Sequence, residues 1–216
     1  MKVLACCRYP VKSLLGEELP AVELEARGVV RDRWWALRTP EGRFGSGKTT
    51  RRFVRMPRLF EMSSRLVDDE AVLRLPDGQE YAVSDDEVHD AVSAVVGTPV
   101  IVAPEGAVRH HDEHPLHLVT TASLRWLGIE AARHLARANL VIDLPGTGRV
   151  EDDWVGRRLT VGDAVLEVVG GATRCVMLGH LKTLAPYALQ FGVYATVVRP
   201  AEITVGSDVA FASPVS

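Results

Sequence analysis

The sequence is poor in the residues that most often assign a chain at sight. Three cysteines in 216 residues is a sparse and odd set, and two of them, Cys6 and Cys7, are neighbours. They make no disulfide framework, which excludes a small disulfide-stapled scaffold and points to a reducing, cytoplasmic setting. Long hydrophobic runs are missing as well. The opening MKVLACCRYPVKSL holds a short apolar stretch broken by Arg8 and Pro10, too brief for a signal peptide or a membrane span. Charge of one sign is not in excess. A formal net charge of −3 gives no global attraction to nucleic acid or to an anionic membrane, so neither is expected as a partner.

What is present is ordinary globular material, 47% hydrophobic and 25% charged. A chain of this length buries about 70% of its unfolded surface, enough to fold without a metal or disulfide staple. Segments 3–11, 22–24 and 34–37 read as short strands. Alternating Leu73, Leu75, Tyr81 and Val83 around Asp77-Gly78 read as a hairpin. Ser84-Asp85-Asp86-Glu87 has the pattern of a capping box. The stripe Val88, Ala91, Val92, Val95, Val96 then predicts a helix that Gly97 stops. The polar stretch 104–117 reads as an exposed linker and gives a division into 1–103 and 104–216. A short helix over 120–127 and helical composition over 130–137 follow. Strands come next at 140–142, 159–161, 165–169, 194–198 and 203–209. Many short strands with few helices predict a mainly β (α+β) protein, a barrel or sandwich with minor helices.

Three groups of residues are chemically suggestive. Gly42-Arg43-Phe44-Gly45-Ser46-Gly47-Lys48-Thr49 satisfies the G-x4-G-K-S/T pattern, and Leu140-Val141-Ile142-Asp143 resembles a strand ending in a magnesium-holding aspartate. Against an NTPase, Thr39-Pro40-Glu41 precedes the first glycine where a buried strand belongs. Pro57 also cuts short any helix after Thr50. A basic hairpin tip is the competing reading, with Lys48 and Arg51 at an anion site as an intermediate one. His110, His111, His114 and His117, beside Asp112 and Glu113, have ligand types suited to zinc or nickel, but Pro115 breaks the helical spacing. Cys175 follows a β run and Gly170-Gly171, a pair that marks a bulge, and Arg174 beside it would favour thiolate. A buried inert thiol is the alternative there, and the same is expected of Cys6 and Cys7 as alternating strand residues.

Taken together, the flanking segments carry a resemblance. Tyr9-Pro10-Val11-Lys12-Ser13 and Gly28-Val29-Val30-Arg31-Asp32-Arg33-Trp34 resemble the N-terminal β-barrel domain that precedes the MOSC (molybdenum-cofactor sulfurase C-terminal) domain. The MOSC domain proper is resembled, in order, by segments 118–124, 137–142, 153–157, Arg174-Cys175, Phe191-Gly192-Val193-Tyr194 and the Val205-Gly206 corner. The resemblance, which extends to the amidoxime-reducing group, implies a MOSC-type β-barrel with an N-terminal β-barrel-like subdomain and a molybdenum–molybdopterin cofactor. It implies that Lys12, Arg33, Arg137 and Arg174 hold the cofactor phosphate, since forked guanidinium and ammonium donors suit that anion. It further implies pterin contacts from Ser13, Thr120, Thr121, Ser123, Asn139 and Thr173, and a soft thiolate ligand for molybdenum from Cys175, the catalytic residue. The implied activity is reduction of N-hydroxylated or other N–O or S–O small molecules, with electrons from a separate flavin or iron–sulfur protein. A non-catalytic cofactor or sulfur carrier using Cys175 is the alternative. The chain departs from the family pattern at Leu135, where an arginine is usual. It also departs in the length of the stretch from Cys175 to Phe191, and at Pro200-Ala201.

Overall fold

The computed structural model describes residues 1–111, 113–173 and 190–212, with the backbone alone for Thr173 and Gln190. In chain order the strands begin with β1 (Lys2–Arg8), β2 (Glu17–Leu19), β3 (Ala21–Glu25), β4 (Gly28–Val29), β5 (Trp35–Arg38), β6 (Phe44–Ser46) and β7 (Phe53–Arg55). Next come β8 (Ser63–Val67), β9 (Glu70–Arg74), β10 (Glu80–Ala82), helix α1 (Val88–Val96), β11 (Ile101–Pro104), β12 (Leu116–Thr120) and helix α2 (Thr121–Leu127). The remainder is β13 (Leu140–Asp143), β14 (Arg158–Val161), β15 (Ala164–Thr173), β16 (Gln190–Arg199), β17 (Glu202–Thr204) and β18 (Val209–Phe211). Among the described residues the protein is therefore mainly β with minor helices. None of these helices is long and apolar enough to cross a membrane.

The chain divides into two compact units that interleave in sequence. The first comprises Met1–Cys7, Glu18–Val30 and Glu113–Ser216, the second Arg8–Glu17 and Arg31–Asp112. The first unit is built on an eight-stranded sheet ordered β18-β14-β15-β16-β12-β13-β1-β2. The corner before β18 returns to β1. Val3 N–H donates to Ser207 O (2.9 Å), Gly206 N–H to Val3 O (2.8 Å) and Val209 N–H to Met1 O (2.8 Å), which closes the sheet as a barrel. Closure removes the unpaired edges that an open sheet would expose. Inward-facing Leu116, Leu118, Leu140, Ile142, Leu159, Val161, Leu166, Val168 and Val193 form its core with Val3, Cys6, Val22, Leu24, Val29 and Ile203. The parallel pairing of β12 with β13 requires a crossover, which α2 and the 3-10 turn Glu130–Ala136 provide. Register shifts beside Gly170 and Gly171 in the long β15–β16 pair are the bulges that those glycines foretell.

The second unit holds a four-stranded sheet, β11-β5-β6-β7, and a three-stranded one, β10-β9-β8. Helix α1 buries Val88, Val92 and Val96 on one stripe and ends at Gly97 (φ 70°), as its spacing predicts. The expected capping box does not form. Glu87 occupies the cap with helical backbone and no side-chain bond, while Asp85 accepts the Ala82 N–H (2.6 Å) in the preceding turn. The short aspartate side chain satisfies local backbone first, a competition such residues often win. Gly42–Thr49 is not a phosphate loop: Gly42 turns β5 into β6, Phe44–Ser46 are β6 itself, and the next element is its parallel partner β7 rather than a helix. Strand 3–11 ends at Arg8 rather than Val11, and 203–209 is broken by its own Val205-Gly206 corner into β17 and β18.

Candidate functional site

In the second unit, the chain leaving β1 turns at Pro10 and runs beside β5. Lys12 N–H donates to Trp35 O (2.8 Å), and Val11 and Trp35 form a parallel bridge. The segment before β5 supplies Asp32 and Arg33 through a tight turn in which Arg31 (φ 62°) and Arg33 (φ 51°) are left-handed. Such backbone costs a non-glycine residue about 1 kcal/mol or more, so it persists where neighbours fix it. Here Arg33 N–H donates to Tyr9 O (2.7 Å) and Tyr9 N–H to Asp32 Oδ1 (2.8 Å). Asp32 is fully buried. Its other oxygen accepts from the Arg33 guanidinium, which lies over the Tyr9 ring at 5.0 Å, and the His111 Nε2 stands 4.0 Å away.

His110 sits at the centre of this group and is fully buried. Its Nδ1 is 3.0 Å from Arg33 O, its Nε2 is 2.8 Å from Arg38 Nη2, and its carbonyl accepts from Lys12 Nζ (2.7 Å). Burial, followed by the adjacent Arg38 charge, lowers its pKa to about 4, so the ring is neutral. Segment 104–117 is accordingly an exposed linker only in part, chiefly at 106–109. His110 and His111 are buried and His117 lies in β12, because imidazoles able to bond backbone carbonyls can be taken inside. Among the described residues no three His, Cys, Asp or Glu side chains group to hold a metal.

Around these residues the second unit concentrates positive charge. Between Gly42 and Phe60 the chain carries Arg43, Lys48, Arg51, Arg52, Arg55 and Arg58 and no carboxylate. Lys12, Lys48 and Arg52 each lie 5.2 Å from the Phe53 ring, and Arg38 lies 5.1 Å from that of Phe44. Ser13, itself left-handed (φ 70°), donates its hydroxyl to Gly45 O (3.0 Å) and so ties the lysine's segment to β6.

The first unit positions a second set at the corner between β12 and α2. Thr120 is the N-cap: its Oγ1 accepts the Ser123 N–H (3.1 Å) and donates to Glu151 Oε2 (2.7 Å). Thr121 Oγ1 bonds Leu144 O (2.9 Å) and Asp143 Oδ1 (3.1 Å), and Ser123 Oγ bonds Gly148 O (3.1 Å). Glu151 is fully buried. Burial raises its pKa, opposed by hydrogen bonds from Thr120 and Ser123. Sequence reasoning missed this residue, since its neighbours Asp152 and Asp153 make the run read as a solvated acidic turn. Asn139 accepts His117 N–H (3.1 Å) and donates to Cys7 O (3.3 Å), a side-chain clasp on both strands that flank it. Arg137 is buried and left-handed (φ 56°) at the end of the preceding 3-10 turn.

The predicted cofactor contacts thus fall in two groups, Lys12, Ser13 and Arg33 in the second unit and Thr120, Thr121, Ser123, Arg137 and Asn139 in the first. The backbone of Thr173 ends β15, and Arg174 and Cys175 lie outside the described residues. Cys6 and Cys7 point to opposite faces of β1, yet both are buried, so each face of the strand is covered there. Burial pushes the Cys6 thiol up to about 12, which leaves it un-ionised. Lys12, anchored on the His110 carbonyl, and Arg33, paired with the buried Asp32, are charged donors of the kind that suit a phosphate group.

The chain matches the family model for the MOSC N-terminal beta barrel domain over residues 1–102 and that for the MOSC domain over residues 105–210. Among solved structures it is similar to the YUAD protein from Bacillus subtilis, at 11% identity over 96% of this chain and 93% of that one, with a TM-score of 0.52. A partial likeness extends to YiiM from Geobacillus stearothermophilus, at 16% identity over 46% of this chain and 55% of that one, TM-score 0.36. YiiM from Escherichia coli is similar at 16% identity over 48% and 56%, TM-score 0.35. No curated protein matches the chain. With both models in register along nearly its whole length, the chain belongs to the MOSC family, its MOSC domain preceded by the MOSC N-terminal β-barrel domain.

Proposed function

We propose that the protein is a molybdenum-cofactor-binding oxidoreductase that reduces N-hydroxylated small molecules, or similar N–O or S–O compounds. In the overall change one N–O bond breaks, and its oxygen leaves as water after taking up two electrons and two protons. A separate flavin or iron–sulfur protein supplies the electrons. When bound, the cofactor supplies a two-electron centre for oxygen-atom transfer. Lys12, Arg33, Arg137 and Arg174 hold its phosphate, and Cys175 offers a thiolate to the metal. Thr120, Thr121 and Ser123 act by fixing the strand-to-helix corner, and Asn139 by clasping β12 and β1, where their side chains are engaged. Ser13 fixes the loop that carries Lys12, and Thr173 directly precedes Arg174 and Cys175 in the chain.

The observation that carries this reading is that Lys12 and Arg33, both within the matched N-terminal domain, are anchored by the same buried histidine, His110. The test is to purify the protein from molybdenum-sufficient cells and measure metal, pterin and amidoxime reduction with a reduced viologen dye. Wild type is expected to hold both and to turn over. Cys175→Ser should keep its pterin and its melting temperature while losing turnover, and full activity of that variant overturns the proposal. Release of cofactor to an apoenzyme without any turnover would instead favour the carrier reading.

A further inference from the structure

We infer that His110 is a positioning residue that sets Lys12 and Arg33 as one phosphate-binding pair, through its imidazole on one and its carbonyl on the other. This rests on the reading above, in which those cations hold the cofactor's phosphate. Every polar atom of His110 is engaged inside the second unit. The N–H donates to Glu105 Oε2 (2.7 Å), and the ring stands edge-on against Phe44 at 5.1 Å. Arg38 has only protons to offer, so the Nε2 that it meets at 2.8 Å must be an acceptor, which places the ring proton on Nδ1. That proton then donates to Arg33 O at 3.0 Å and holds the left-handed peptide on which the Arg33 side chain is mounted. The His110 carbonyl meanwhile receives Lys12 Nζ at 2.7 Å, which restricts a side chain otherwise rich in rotamers.

Other roles for this histidine fit less well. A metal ligand or a proton-transfer group needs a ring nitrogen free to meet its partner, and here both are committed to protein atoms in a fully buried ring. Preorganisation is the role left to such a group. Cations fixed before an anion arrives lose less conformational freedom on binding it.

The experiment compares His110→Asn, His110→Gln and His110→Phe. The asparagine amide nitrogen reaches the place of Nδ1 and keeps the donor to Arg33 O. Glutamine reaches the place of Nε2 and loses that donor. Phenylalanine keeps, of the ring's contacts, only the packing on Phe44; the main-chain carbonyl that receives Lys12 is retained in all three variants, so the comparison reads the imidazole's part alone. Two quantities are read, molybdopterin retained per chain after purification and the affinity of cofactor-free protein for inorganic phosphate by calorimetry, each alongside the melting temperature. His110→Asn should stay within about threefold of wild type, while His110→Gln and His110→Phe bind roughly tenfold more weakly, the scale of one misaligned charge-assisted contact. A purely packing role predicts the reverse order, with phenylalanine the best substitute. Binding by His110→Gln equal to that of His110→Asn overturns the inference, even if His110→Phe does not fold. Wild type that binds neither phosphate nor pterin overturns the functional reading itself and the inference with it.

Discussion

At the scale of single residues, two buried ionisable side chains bias stability in opposite directions with pH. The pKa of Glu151 is raised above 4.5, so folding favours its protonated form. That contribution is whole below 4.5 and is lost as pH climbs through the folded value. His110 is lowered from 6.5 to about 4, so the fold favours the neutral ring. Its contribution is whole above 6.5 and is lost as pH falls toward 4. Urea unfolding of wild type and Glu151→Gln at a series of pH values should show the variant gaining relative stability as pH rises from 4.5 upward. A difference that stays constant with pH would sink this account. Thr120 bears on the same carboxyl. Thr120→Val removes both the cap of α2 and the hydroxyl bond to Glu151, and should cost about 1–2 kcal/mol in the same assay.

At the scale of elements, Gly192 shows how narrowly β16 is threaded. Its φ is 75°, and a methyl group there would come within 2.4 Å of Leu118 O and 2.6 Å of His117 Nε2. Gly192→Ala should therefore destabilise by about 2 kcal/mol or more, read as a fall in thermal midpoint. A midpoint unchanged within a degree or so would mean that the strands separate to admit the methyl. Elements with a strong period were legible in the sequence. Helix α1 stands on its valine stripe and the β9–β10 hairpin on Asp77-Gly78. Pairs such as β6–β7 and β3–β4 were not, since strands of two or three residues carry no alternation, and long-range partners define them. The candidate site was legible unevenly. Lys12, Ser13 and Arg33 sit in recognisable motifs, whereas the anchoring of two of them by His110 joins positions 77 and 98 residues apart, beyond the reach of local spacing.

At the scale of the whole molecule, the barrel unit borrows its opening strands from the other end of the chain. Residues 104–216 alone would lack β1 to β4, and with them Val3, Cys6, Val22, Leu24 and Val29 of the core and one of the two partners of β13. That fragment should show no cooperative thermal transition, and co-expression with 1–103 should restore one. A sharp, reversible transition from the isolated fragment would contradict the interleaved arrangement.

The same interleaving orders events at the ribosome. Lys2 meets Asp208 across 206 positions of chain, so β1 has to wait for the corner before β18 to be made before its barrel can close. The Arg8–Glu17 and Arg31–Asp112 segments, by contrast, have emerged by mid-synthesis and can settle early. Through that interval the apolar side chains of β1, two thiols among them, are without their native cover. A chaperone or rapid elongation would bear on the yield of this protein more than on its final stability.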